Sequence, residues 1–291
     1  MIATIGPCLP HDLIRASGQE VNVLSVDIDR KIDRASGIFE NKFAPWCAGI
    51  VENWMVGAYD RYDTVIFSRG DDTVQRLYYY VCELQRRGMM AGPAPYLFDV
   101  SMIQRDSSEV RQLREVRALA AQLSVDDNSL KQAIRTANQE RAARGNSQAV
   151  NACLLAGTPL PDDRLHKAIE RGGCIAVGET LHDLWSNLGP LIDEGAPDPA
   201  LALAKQVRER AGARSFRDPG AAMFERIEAA RPVCGILWLS EDDEATGWQV
   251  PALRAPFEDA GIPLLVLTNR DPKMADGVEN EIEQFAREHS E

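Results

Sequence analysis

The sequence predicts an α/β protein: two Rossmann-like parallel-sheet domains around a cleft, with a helical connecting block. Three observations lead there. Short apolar runs, each followed by a helical stretch, occur at Asp63 to Ser68, Tyr96 to Val100 and Cys174 to Gly178. Such runs read as strands buried on both faces, as in parallel sheets covered by helices. A long helical stretch without a strand separates the second run from the third, and 291 residues exceed one typical core. The boundaries drawn on this pattern are 1–105 for an N-terminal α/β domain, 106–160 for the helical block and 161–291 for a C-terminal α/β domain.

Taken in order, a short helix from Pro10 to Ser17 precedes a candidate strand at Val21 to Val26. An apolar helix follows from Ala44 to Tyr59, then the strand ending near Arg69 and a helix carrying Tyr78-Tyr79-Tyr80. Successive residues on a helix point in different directions, so the three tyrosines are packing residues and no stacking platform. In the block, Ser107 to Leu123 places Val110, Leu113, Val116, Leu119 and Leu123 on one stripe. A second helix, Asn128 to Arg144, follows the N-cap candidates Ser124 to Asp127. Two later helices, Pro199 to Ala213 and Pro219 to Ala230, each open with Asp-Pro, an N-cap followed by proline at the first helical position. Strands at Cys234 to Leu239 and Pro263 to Leu267 complete the reading, which contains no internal repeat.

Composition narrows the functional classes. The chain is 45% hydrophobic and 26% charged, within the ordinary globular range. A net charge of -12 argues against nucleic acid, whose phosphates need Lys and Arg. No apolar run approaches the roughly 18–20 residues of a membrane span, and no signal peptide is read at the N-terminus, so a cytoplasmic location is expected. The six cysteines contain no C-x-x-C pair, which speaks against a zinc ribbon and leaves most of them as packing residues.

Several segments together resemble one family. Pro10-His11-Asp12-Leu13-Ile14-Arg15-Ala16-Ser17-Gly18 is similar to a Pro-x-Glu-Leu-Ile-x-Ala-x-Gly segment, and Leu123-Ser124 through Asn138 and Arg141 to a stretch ending in Asn-x-x-Arg. Asp198-Pro199, Gly235-Ile236-Leu237, Trp248-Gln249-Val250-Pro251, Gly261-Ile262-Pro263 and Ile282 to Phe285 follow in the same order. The chain thereby resembles the 2-hydroxyacyl-CoA dehydratase and benzoyl-CoA reductase subunits. That resemblance implies a [4Fe-4S] cluster held by three cysteines in the cleft, an ATP-dependent activator, an acyl-CoA substrate, and a homologous dehydratase-type subunit or a second copy as partner. Of the three cluster positions only Cys47 keeps its thiol; Gly70 and Glu244 stand at the other two.

A cluster needs soft thiolates, so one Cys, one Gly and one Glu predict that the isolated chain binds none. Cys47, at a helix start where the dipole lowers a thiol pKa, suits a metal ligand or nucleophile, or a buried remnant of an ancestral site. Glu244 closes the acidic stretch Ser240 to Glu244, which would suit a hard cation such as Mg²⁺ or simply be a solvated loop. Asp71 and Asp72 follow a strand end and invite the same two readings, with Asp72 also an N-cap candidate. His11 is the histidine best placed for acid–base work, or for packing the helix it begins. The expected function is an atypical subunit of a dehydratase- or reductase-like system; the alternative is a non-catalytic structural or ligand-binding homologue.

Overall fold

A computed structural model describes residues 1–40, 43–103, 105–143, 149–215 and 218–290. The chain alternates strands and helices from the start: β1 (Ile2–Ile5), α1 (His11–Ala16), β2 (Val21–Val23), α2 (Trp46–Met55), β3 (Thr64–Ser68), α3 (Asp72–Arg86) and β4 (Ala94–Phe98). Two long helices, α4 (Asp106–Gln122) and α5 (Asp127–Ala143), come next. Then β5 (Ala152–Gly157), α6 (Arg164–Arg171), β6 (Ile175–Val177), α7 (Leu181–Ser186), α8 (Pro199–Ser215) and α9 (Pro219–Ala230) follow. The last elements are β7 (Cys234–Ser240), α10 (Glu244–Gly247), α11 (Val250–Asp259), β8 (Leu264–Arg270) and α12 (Val278–Glu288). Arg144, where the second long helix was expected to end, lies outside the described residues.

Two parallel four-stranded sheets result, ordered β2-β1-β3-β4 and β6-β5-β7-β8. The expected α/β class with Rossmann-like parallel sheets is therefore the architecture. The strand pairs run parallel in both, from Ile2 opposite Val21 and Thr64 in the first sheet to Cys153 opposite Cys234 in the second. The strands β1 and β5, each paired on both sides, are absent from the sequence reading. β1 is only four residues long (Ile-Ala-Thr-Ile), and β5 (Ala-Cys-Leu-Leu-Ala-Gly) contains none of the β-branched and aromatic residues that mark strands.

The chain forms two compact units, each discontinuous in sequence. The first comprises Met1–Ser25, Ile50–Gly145 and Trp185–Phe216; the second comprises Val26–Gly49, Asn146–Leu184 and Arg217–Glu291. The expected segments 1–105, 106–160 and 161–291 differ from this partition, and the reason is burial. Val116 and Leu119 of α4 and Leu130 and Ile134 of α5 share a core with Ile2, Leu13, Leu203 and Val207, so both helices belong to the first unit. The end of the supposed helical block is instead β5, an inner strand of the second sheet.

A buried polar network ties α1, α5 and the segment after α7 together. Arg141 donates to both carboxylate oxygens of Asp12, to Asn138 Oδ1 and to the Leu188 carbonyl. Asn138 in turn donates to the Ile192 carbonyl and accepts from the Ile192 amide. The Asn-x-x-Arg pair thus supplies hydrogen bonds to backbone that no helix or sheet satisfies. In the second unit, one face of the sheet packs beneath α6 and α12 through Leu155, Ile236, Trp238, Ile169 and Ile282. The other face packs beneath α9 and α11 through Leu154, Leu237, Met223 and Phe257.

Candidate functional site

In open α/β sheets, ligands bind at the carboxyl ends of strands, where the strand order reverses. Each unit has one such point, between β1 and β3 and between β5 and β7. The two are built from the same local sequence. Gly6-Pro7-Cys8-Leu9-Pro10 follows β1, and Gly157-Thr158-Pro159-Leu160-Pro161 follows from the end of β5, a Gly-x-x-Leu-Pro turn in both. The third strand of each sheet ends in Ser-x-x-Asp followed by a second acid: Ser68 to Asp72 and Ser240 to Glu244. The chain therefore does contain a repeat, contrary to the sequence reading. Within it Gly70 corresponds to Asp242, and Asp72 to Glu244.

Sterics explain the glycines. Gly6 has φ +98°, and a Cβ there would stand 2.8 Å from Ser68 Cβ. Gly157 has φ +94°, and a Cβ there would stand 2.0 Å from the Trp238 carbonyl oxygen. Only glycine lets the first turn pass so close to the third strand.

In the first unit, Ser68 Oγ donates to the Pro7 carbonyl and accepts from the Gly70 amide at 2.9 Å. Asp71 is the N-cap of α3, accepting from the Val74 amide at 2.9 Å. Asp72 is the first helical residue, so the cap expected of Asp72 falls to Asp71. A Cβ at Gly70 would stand 3.6 Å from Cys8 Cβ, which places a thiol beside the position the resemblance assigns to a cluster cysteine. Cys8 is buried and non-glycine at φ +62°, a combination the sequence reading did not single out.

In the second unit, Thr158 Oγ1 donates to Asp243 Oδ2 at 2.7 Å and accepts from the Ser240 amide at 3.3 Å. Asp243 also caps α10 through the Thr246 amide. Glu244 opens that short helix and is exposed. Cys47 is the second residue of α2 and wholly buried. Cys47 and Glu244 belong to the second unit and Gly70 to the first.

These residues do not fit a [4Fe-4S] cluster. Glycine has no donor, and an exposed carboxylate is a hard ligand where the iron–sulfur core needs sulfur. Among the described residues, no group of three or more His, Cys, Asp or Glu is arranged to hold a metal ion.

His11 is placed for structure. Its Nε2–H donates to the Trp185 carbonyl at 2.8 Å, and the residue is 4% exposed. Burial above all, then the nearby Arg210, lowers its pKa to about 3, so the imidazole stays neutral and away from solvent-borne protons. A groove of 550 Å³ lies between α1 and α5, lined by Arg15, Gly18, Asn128, Gln132, Thr136 and Glu140. Arg15 and Glu140 close an exposed bidentate ion pair along it. It contains none of the residues at the strand ends.

No family model and no curated protein matches the chain. Among solved structures, the periplasmic heme-binding protein BhuT in complex with two hemes is similar over 98% of each chain, at 14% identity and a TM-score of 0.24. A score that low carries no argument about ligands. Among the described residues, no helix is long and apolar enough to cross a membrane.

Proposed function

We propose that this chain is an atypical, cluster-free subunit of a 2-hydroxyacyl-CoA dehydratase- or benzoyl-CoA reductase-like system, working in the cytoplasm on an acyl-CoA thioester beside a homologous, cluster-bearing partner. The observation that carries the reading is at Gly70. The position follows an inner strand at a switch point, keeps the Ser68 and Asp71 scaffold around it, and lacks the one atom type a cluster requires. The chain's own residues would shape the acyl-CoA site and exclude water, while electrons pass through the partner. Trp248 supports the partner. It follows the acidic loop and is 89% exposed, the kind of large aromatic that anchors protein interfaces.

A second reading, a non-catalytic binding subunit, is favoured by His11, whose buried neutral ring removes the best acid–base candidate. The test is to purify the chain without oxygen, alone and co-expressed with a three-cysteine homologue, and measure iron, sulfide and mass in solution. The proposal expects negligible iron in the chain alone, a stable complex with the homologue, and dehydration of a 2-hydroxyacyl-CoA only when both are present with an activator. Stoichiometric iron and sulfide in the chain alone would overturn it. A complex whose turnover is unchanged by omitting this chain would leave the second reading standing instead.

A further inference from the structure

Three of the six cysteines meet in the core of the second unit, at the amino ends of its strands and away from the loops described above. Cys153 on β5 and Cys234 on β7 are direct register partners. Neighbouring strands lie roughly 4.8 Å apart, inside the roughly 4.4–6.8 Å span of Cα positions that a disulfide bridges. Both residues belong to one core with Ala168, Ile169, Ile282 and Ala286, beneath α6 and α12. Cys174, one residue before β6, joins them there, its thiol donating to the Ala286 carbonyl at 3.3 Å. All three residues are at most 2% exposed.

We propose that Cys153 and Cys234 are a site of reversible oxidation, a dithiol that closes to a cross-strand disulfide with a peroxide as oxidant. Cys153 and Cys234 stand opposite each other on one face of the ladder, an arrangement that packing does not require. The proposal is independent of the dehydratase-like reading and stands or falls without it. Cys234 is the attacking group, because the neighbouring Cys153 thiol lowers its pKa, while Cys153 is pushed up by Cys234 and by burial. The Cys234 thiolate attacks one peroxide oxygen; the O–O bond breaks, an S–O bond forms, and the released hydroxide takes a proton to leave as water. The Cys153 sulfur then attacks the Cys234 sulfur, the S–O bond breaks, and a second water leaves with the Cys153 proton. Two thiols lose two electrons, and one hydrogen peroxide becomes two waters. A dithiol reductant reverses the bond. Since α12 covers the site through Ala286, oxidation waits on local opening of that helix.

The experiment takes the full reduced chain, adds stoichiometric hydrogen peroxide, alkylates under denaturing conditions and maps the peptides. The expected result is a chain lighter by two hydrogens, two of the six thiols protected from alkylation, and one bridge joining Cys153 to Cys234. Dithiothreitol should restore all six. Cys234→Ser should slow thiol loss by about tenfold or more, and Cys153→Ala should leave a Cys234 sulfenic acid that dimedone traps. Cys82→Ser should change neither. Oxygen addition without a bridge, or a bridge from Cys234 to Cys174 or any other cysteine, would overturn the proposal. The map of the unsubstituted protein decides this even where a variant fails to fold.

Discussion

Arg141 on α5 holds the carboxylate of Asp12 on α1 with both terminal nitrogens, at 2.9 and 2.7 Å, and neither side chain is more than 4% exposed. Two charges so far from water are tolerable only because each completes the other and Arg141 also reaches Asn138 and the Leu188 carbonyl. The pair therefore fixes how α1 sits on α5 within the first unit.

Removing one partner leaves the other charge buried without compensation. Arg141→Ala should lower the unfolding free energy of the chain by about 3–5 kcal/mol. Arg141→Lys should fall between, because a single ammonium cannot reproduce the planar fork. Urea unfolding followed by circular dichroism measures both. A loss under about 1 kcal/mol for Arg141→Ala would mean that the network contributes little and that the apolar core alone seats α5.

The ring of His11 gives stability a pH dependence whose sign is fixed by its environment. In the folded chain its pKa is lowered to about 3, whereas in the unfolded chain it titrates near the ordinary value of 6.5. Above the unfolded value both states are neutral and the residue has no effect on the slope. As pH falls below 6.5, only the unfolded state takes up the proton, so stability is lost progressively until the folded pKa is reached. The slope is about 1.4 kcal/mol per pH unit in that window. Urea midpoints between about pH 7 and pH 5 should therefore drop in the unsubstituted protein and drop less in His11→Gln, which keeps a donor for the Trp185 carbonyl but does not titrate. Equal slopes for the two proteins would refute this account of the ring.

How much of this was legible beforehand depended on what each feature needed from distant residues. Strands such as Thr64–Ser68 and Cys234–Ser240 announce themselves, because their apolar runs are self-contained. The inner strands β1 and β5 do not: β1 is only four residues long, and the Ala, Cys, Leu and Gly of β5 become strand residues only by pairing on both sides. Missing β5 also hid the thiol pair, for Cys153 and Cys234 are neighbours only through that ladder. His11 was readable as important but its role was not. Its burial and its hydrogen bond depend on Trp185, far along the chain. The Gly-x-x-Leu-Pro repeat was present in the letters, and the strands before it were what made it visible.

The last prediction concerns Gly70 and the thiol beside it. A Cβ at Gly70 would stand 3.6 Å from Cys8 Cβ, within the roughly 3.5–4.5 Å of natural disulfides. The same atom would press on Ser68 Oγ at 3.1 Å and the Pro7 carbonyl at 3.3 Å, so these neighbours must give by a few tenths of an ångström. Gly70→Cys should therefore fold with a modest loss while reduced. Under mild oxidation the introduced thiol should form a bridge to Cys8, read by peptide mapping. The closed loop would run from Cys8 to position 70 and enclose β2 and β3, so oxidation should then raise the unfolding free energy reversibly, by about 2–4 kcal/mol from loop entropy. When Gly70→Cys is combined with Cys8→Ser, the introduced thiol should remain free and alkylatable. If Gly70→Cys instead stays reduced under conditions that oxidise surface thiols, the two Cβ atoms are not held facing each other, and the β1–β3 turn is looser than the packing around Gly6 and Ser68 implies.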